Sequence, residues 1–152
     1  MYSFATIDYF SSFWAGWNDR NSRPAADKRN QTKRMADFLE KFLVYPQKES
    51  QLAIAVWRHK LMHTGEPRLL KENATVYNWS ISDQTSKHWA VESTGKDECL
   101  LNIGIYNLIS DLRQGVFGPQ GYFWELRRDE NLQNHYAAVL EEIQSYSFAV
   151  QV

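Results

Sequence analysis

The chain has 152 residues, of which 43% are hydrophobic and 14% aromatic, including six tryptophans. This length and apolar content suit one folded domain with a sizeable core and exclude a disordered chain. The formal net charge is −1. That balance excludes a protein that coats nucleic acid through bulk positive charge, but it allows an enzyme that binds one or two phosphates locally.

The cysteine content and the N-terminal residues both argue against secretion. Cys99 is the single cysteine, so no internal disulfide can form, which fits a reducing compartment. Residues 1–8 contain neither a basic start nor a long apolar run, so no signal peptide is predicted. No segment approaches the roughly 20 apolar residues of a membrane span. The sequence therefore predicts a cytoplasmic protein with no membrane partner.

Apolar residues at helical spacing predict three helices in the first part of the chain, over residues 3–18, 25–44 and 48–64. The start of the second helix is polar on all sides and is interpreted as a solvated face, and Pro46 follows its end. The third helix has two apolar sides, so we predict that it is central and mostly buried. Gly65 and Pro67 supply its stop.

The period of the pattern then changes from helical to alternating. Apolar and polar side chains alternate over residues 77–81 and again over residues 89–92, with a short polar loop between them. Two such runs predict a β-hairpin over about residues 75–92. Because two strands alone are marginally stable, the hairpin is expected to pack on helices as an insertion.

Two more helices are predicted after the hairpin, over residues 98–113 and 130–146, separated by a glycine-rich loop. No internal repeat or domain linker is visible. The predicted fold class is therefore mainly α: a bundle of about five helices that carries one β-hairpin, in a single domain over residues 1–152.

The third helix carries the residues with the clearest chemical potential, Arg58 and His63, five positions apart near its end. A guanidinium can bind a phosphate through two hydrogen bonds, and an imidazole can transfer a proton near neutral pH. These two groups are the minimum that metal-free phosphodiester cleavage requires. The polar residue His59 directly follows Arg58, which gives the pattern arginine, polar residue, three residues, histidine.

This pattern resembles the motif of the HEPN superfamily, whose members are small helical bundles. Many of them are metal-independent RNases or toxins of toxin–antitoxin pairs, so the resemblance implies RNA as substrate, an antitoxin-like protein partner and no cofactor. The chemistry it implies is attack by a ribose 2′-hydroxyl on the adjacent phosphorus, which leaves a 2′,3′-cyclic phosphate. His63 would move the proton, Arg58 would stabilise charge on the phosphoryl oxygens, and His59 would orient or assist.

A homodimer is predicted from the geometry of the motif. Arg58 and His63 point about 140° apart around the helix axis, so one chain closes a compact site poorly. Two copies of the helix that face each other would solve this problem, and HEPN RNases are similar in placing their motifs at a dimer interface. Lys60, Arg68 and Lys71 add local positive charge that can contact the RNA backbone.

Alternative interpretations of the motif stay open at this point. A buried helix can carry His59 and His63 as hydrogen-bonded core residues and Arg58 as an ion-paired one. The two histidines also have the i, i+4 spacing of a metal site, although the helix places no acid between them and Glu66 is the only nearby carboxylate after them. A HEPN-like chain can also be a non-catalytic binding or dimerisation module, because fold does not settle activity.

A second, looser match joins Arg128 to His135, with Asp129 as its polar residue. Arg128 lies just before the predicted start of the last helix, where Asp129 is placed to cap that helix. The first match is therefore the preferred candidate site.

Overall fold

The computed structural model of the protein describes residues 2–17, 31–57, 70–72 and 75–148. These residues confirm the mainly α class. Their helices are α1 (Tyr2–Ala15), α2 (Gln31–Leu43), α3 (Gln47–Val56), α4 (Ile105–Phe117), α5 (Tyr122–Leu126) and α6 (Glu130–Phe148). Their strands are β1 (Leu70–Glu72), β2 (Thr75–Ser82), β3 (Val91–Gly95) and β4 (Glu98–Gly104). None of the helices in these ranges combines the length and the apolar character that a bilayer span needs.

Helices α1 and α2 pack through apolar stripes that the sequence predicts. On α2, the spacing of Met35, Phe38, Leu39 and Phe42 puts all four side chains on the buried face. Full burial of one such side chain contributes about 1.5–3 kcal/mol, so this face anchors the core. The second helix ends within one residue of its predicted end, and its predicted start lies outside the described residues.

Helix α3 is the buried central helix that the sequence predicts, with Leu52, Ala53, Ile54 and Val56 in the core. It begins directly after Pro46, whose fixed φ suits a helix start. Trp57 follows its last residue, and the Trp57 backbone N–H donates back into the final turn. The remainder of the predicted helix, residues 58–64, lies outside the described residues.

The four strands form one mixed sheet in the order β1-β2-β4-β3. Strand β2 pairs in parallel with β4, from Val76 opposite Glu98 to Ser82 opposite Gly104. Strand β3 is antiparallel to β4, and β1 is antiparallel to β2. The predicted pairing of residues 77–81 with residues 89–92 is therefore wrong, because β4 lies between these two strands.

The predicted helix over residues 98–113 is also corrected, since its first turns are strand β4 and the chain becomes helical only at Ile105. A short apolar run such as Cys99 to Leu101 fits a buried strand as well as a helix, and periodicity cannot separate the two. Gly104, in extended conformation, marks the change from strand to helix. Parallel pairing of β2 and β4 joins distant segments, so no local pattern announces it.

The last part of the chain follows its prediction more closely. Helix α6 begins at Glu130, as predicted, and Asp129 caps it: Asp129 Oδ1 accepts the backbone N–H groups of Asn131 at 2.8 Å and Leu132 at 3.2 Å. The short helix α5 was not predicted, because one turn is too brief to show a period.

Candidate functional site

Most of the predicted site residues lie outside the described residues, namely Arg58, His59, Lys60, His63 and Arg68. Lys71 belongs to strand β1, where its backbone pairs with Val76. The structure does describe the point from which the motif starts, because Trp57 directly precedes Arg58. Trp57 is thus the last described residue before the motif, and its packing is the structural observation nearest to the motif.

Trp57 belongs to a buried aromatic group that we call the Phe4 cluster, made of Phe4, Trp57, Trp79 and Trp89. The Phe4 ring stacks on Trp57 with centroids 5.4 Å apart and planes at 15°. It also lies 6.0 Å from the Trp79 ring and 6.5 Å from the Trp89 ring. Contacts of this kind contribute about 0.5–1.5 kcal/mol each beyond burial. Trp57, the residue before Arg58 in the sequence, is therefore buried against Phe4 of α1.

Two members of the Phe4 cluster carry a buried hydrogen-bond donor without an acceptor among the described residues. These donors are the indole Nε1 groups of Trp57 and Trp79. A buried donor that stays unpaired costs about 1–3 kcal/mol, so such groups are rare in cores.

A polar network lies at the opposite end of α3 and joins Tyr45, His88 and Asp111. The Tyr45 hydroxyl donates to Asp111 Oδ2 at 2.6 Å and lies 2.8 Å from His88 Nε2. The Gly104 backbone N–H donates to His88 Nδ1 at 2.9 Å. Because Nδ1 accepts, the neutral ring carries its proton on Nε2 and donates it to the Tyr45 oxygen. One chain of donors thus runs from His88 through Tyr45 to Asp111.

Two backbone positions of unusual conformation flank this network. Val44 precedes Tyr45 with a φ of 59°, and Trp89 follows His88 with a φ of 61°. β-Branched and bulky residues rarely adopt positive φ, so their neighbours must hold them there. The Trp89 ring stacks on the Tyr45 ring with centroids 4.4 Å apart, which holds Trp89, whereas the Val44 side chain is exposed.

The titration behaviour of the network favours a positioning role over a nucleophilic one. Burial lowers the pKa of His88, and the nearby Asp111 carboxylate opposes this effect only in part. Burial raises the pKa of Tyr45, and the hydrogen bond and charge of Asp111 raise it further. Tyr45 therefore keeps its proton at neutral pH. The ten residues of α3, at about 1.5 Å each, separate this network from Trp57 and the motif.

We expect His88 to make stability depend on pH in a defined direction. The folded protein disfavours protonated His88, whereas the unfolded chain accepts the proton near pH 6.5. The stability contribution is therefore complete above about pH 6.5 and is lost as the pH falls towards the lowered pKa. His88→Asn keeps an acceptor for the Gly104 N–H but cannot titrate.

The measurement is urea unfolding of both proteins from about pH 8 to pH 5. The stability advantage of the wild type over His88→Asn should shrink as the pH falls. A constant advantage, or one that grows with acid, would contradict the assignment.

The looser Arg128–His135 match is explained by structural contacts. The Arg128 guanidinium lies 3.9 Å from the Trp124 ring centroid and donates to the Trp124 carbonyl at 3.0 Å. His135 Nδ1 lies 3.0 Å from the Trp14 carbonyl oxygen at the end of α1. Its ring packs on Gly16, which has a φ of 74°, and a Cβ there would come within 2.7 Å of the ring. Arg128 thus contacts α5, whereas His135 contacts the end of α1.

Arg34 corrects the prediction that the polar start of the second helix is a solvated face. Its side chain is only 2% exposed, and its Nη2 donates to Asp8 Oδ1. Its other donors bond Ser11 Oγ at 3.2 Å and the Trp17 carbonyl at 3.0 Å, and its Cζ lies 4.5 Å from the Trp17 ring. The sequence signal for this burial is spacing, because Arg34 precedes Phe38 by four residues and therefore lies on the same helix face.

No group of three His, Cys, Asp or Glu side chains comes together as a metal site in the part of the chain that the structure describes. The pair His59 and His63 lies outside that part. No protein-family model, curated protein or solved structure matches the chain.

Proposed function

We propose that the protein is a HEPN-like, metal-independent endoribonuclease that cleaves single-stranded RNA. The observation that carries the proposal concerns Trp57, which precedes Arg58 in the sequence: Trp57 directly follows a buried central helix of a mainly α fold and packs in the Phe4 cluster. A catalytic group needs this kind of rigid support to stay within reach of its substrate. A buried residue directly before the motif thus supports catalysis over a solvated charge run.

In the proposed reaction, the ribose 2′-oxygen forms a bond to the adjacent phosphorus while the bond to the leaving 5′-oxygen breaks. His63 moves the proton between these oxygens, and Arg58 stabilises the negative charge on the phosphoryl oxygens. His59 orients or assists. Lys60, Arg68 and Lys71 contact the RNA backbone, and their charges bind phosphates without sequence preference.

The proposal includes a symmetric homodimer in the cytoplasm. Since the helix predicted from the sequence would separate Arg58 and His63 by about 140°, two copies of the motif would complete a site more easily than one. An antitoxin-like protein is the proposed regulator of such an enzyme.

A non-catalytic binding module is the second candidate function. The observation that favours it is a large exposed apolar surface on α4 and α5, which includes Ile109, Phe117 and Trp124. Contiguous surfaces of this kind mark interaction sites. A binding module would keep this surface and lack RNA cleavage.

The test is incubation of the full chain with a panel of single-stranded RNAs in EDTA. We expect cleavage with 2′,3′-cyclic phosphate ends, and no cleavage of DNA of the same sequence, because DNA lacks the internal nucleophile. Activity that EDTA abolishes would favour the metal interpretation of His59 and His63. A wild-type chain that cleaves no RNA in the panel would favour the binding module.

A further inference from the structure

Helices α1, α4 and α5 expose an apolar surface that we call the Phe117 face, made of Phe10, Ile109, Phe117, Phe123 and Trp124. Phe117 is 66% exposed, Ile109 49% and Trp124 42%, which is unusual for large apolar side chains in such proximity. Two grooves of about 310 Å³ and 630 Å³ lie on this face and share Phe117. Phe117 is therefore a ridge between two apolar depressions.

The ridge is held in place by aromatic contacts. The Phe117 ring stacks on Phe123 with centroids 5.4 Å apart and planes at 15°, and it meets the edge of Phe10 at 6.1 Å. Phe10 also contacts Phe123 at 5.9 Å. Because these rings support one another, the two grooves exist before any partner binds. A preformed surface loses little conformational entropy on binding.

The charge of the Phe117 face has one sign. Among the described residues that line the two grooves, only Arg113 and Arg127 are charged, one in each groove. Both are exposed, and neither forms an ion pair with a carboxylate in the described part of the chain. Arg128 adds a third guanidinium beside Trp124. The face thus combines an apolar floor with a positive rim.

We infer that the Phe117 face binds an amphipathic helix of an acidic partner protein. Apolar side chains of that helix enter the grooves on either side of Phe117, and its carboxylates pair with Arg113 and Arg127. A groove between two helices, here α1 and α4, is a common seat for such a segment, which is anchored at i, i+3 or i+4, and i+7. The charge complementarity sets the choice of partner.

Two other occupants fit the face less well. A second copy of the chain would form an isologous interface, which brings the face against itself and opposes arginines to arginines, with no carboxylate among the described residues that line either groove. Single-stranded RNA would need free aromatic faces for base stacking, but Phe117 and Phe123 stack on each other. The first groove also has aliphatic walls, Ile109, Leu112 and Val116, that offer bases no hydrogen bonds.

The test is selection of displayed helical peptides of about 15 residues, roughly four turns, on the full chain after depletion on Phe117→Ser. Enriched peptides should be acidic and carry apolar residues at the spacing of one helix face. Their affinity should fall at least about tenfold on Phe117→Ser and on Arg113→Glu. Lysine in place of the peptide carboxylates should restore binding to Arg113→Glu.

Matched controls lie outside both grooves. Ile81→Ser removes another exposed apolar side chain, from strand β2, and Lys96→Glu reverses an exposed charge in the turn between β3 and β4, so both should bind the peptides normally. Three results would overturn the inference: no enrichment that depends on Phe117, conversion of a dimer to a monomer by Phe117→Ser, or photo-cross-linking of RNA to Phe117. Because Arg113 is exposed, Arg113→Glu keeps the test valid if Phe117→Ser folds poorly.

Discussion

Asp8→Ala should lower the free energy of unfolding by about 3 kcal/mol, towards the lower end of the range for breaking a buried ion pair. Asp8 supplies the carboxylate that faces the buried guanidinium of Arg34, and the variant leaves that charge in the core. The effect stays near the lower end because Arg34 keeps bonds to Ser11 and the Trp17 carbonyl. Chemical denaturation at neutral pH measures the loss.

A double-mutant cycle separates the charge from the packing. Adding Arg34→Met to Asp8→Ala should cost less than the sum of the two single changes, because the buried charge that lost Asp8 is then gone. The matched control is Lys87→Ala, which breaks an exposed pair with Glu92 of 2.7 Å and should leave stability nearly unchanged. Additive losses in the cycle would show that Asp8 and Arg34 do not act as a pair.

The elements that the sequence predicts correctly are those with a local cause. The stripe of Met35, Phe38 and Phe42 repeats at the helical period, and Asp129 precedes an apolar run as a helix cap does, so both can be recognised within a few residues. Sheet pairing has no such local cause. Strand β2 pairs with β4 in the sheet, although β3 lies between them in the sequence. The side chains that decide this pairing meet only in the folded chain.

The candidate site shows the same division. The motif from Arg58 to His63 is contiguous and can be recognised from the sequence, and so can the buried helix that precedes it. The network of Tyr45, His88 and Asp111 is assembled from segments 43 and 66 residues apart, measured from Tyr45, so nothing in the sequence associates them. The prediction that Arg34 is solvated is wrong: the residues beside it in the sequence are polar, but Arg34 itself lies on the same helix face as the buried Phe38.

The contacts at the two ends of helix α3 bear on how variants of the motif are interpreted. Helix α3 is fixed at its start by the Tyr45 network and at its end by the Phe4 cluster. Loss of cleavage in a motif variant whose two anchors stay intact can therefore be interpreted as a change in chemistry.

His63→Ala should lower RNA cleavage by about 10²–10⁴-fold, which is the contribution of a general acid or base, and should leave the melting temperature within a few degrees of wild type. Arg58→Ala should weaken both substrate binding and the catalytic rate, because the guanidinium stabilises the phosphoryl charge. Single-turnover cleavage in EDTA gives the cleavage rate, and thermal melts of the same variants give the melting temperature. Comparison of the two variants separates proton transfer from charge stabilisation.

The matched control is His135→Ala, which removes the histidine of the looser motif and should melt earlier yet cleave RNA at the wild-type rate when folded. Core residues would give the opposite pattern, because a broken buried hydrogen bond lowers stability whether or not the protein has an activity. A large melting loss in His63→Ala, together with an inert wild type, would therefore assign His63 to the core. Loss of cleavage in His63→Ala at unchanged stability would instead assign it to the reaction.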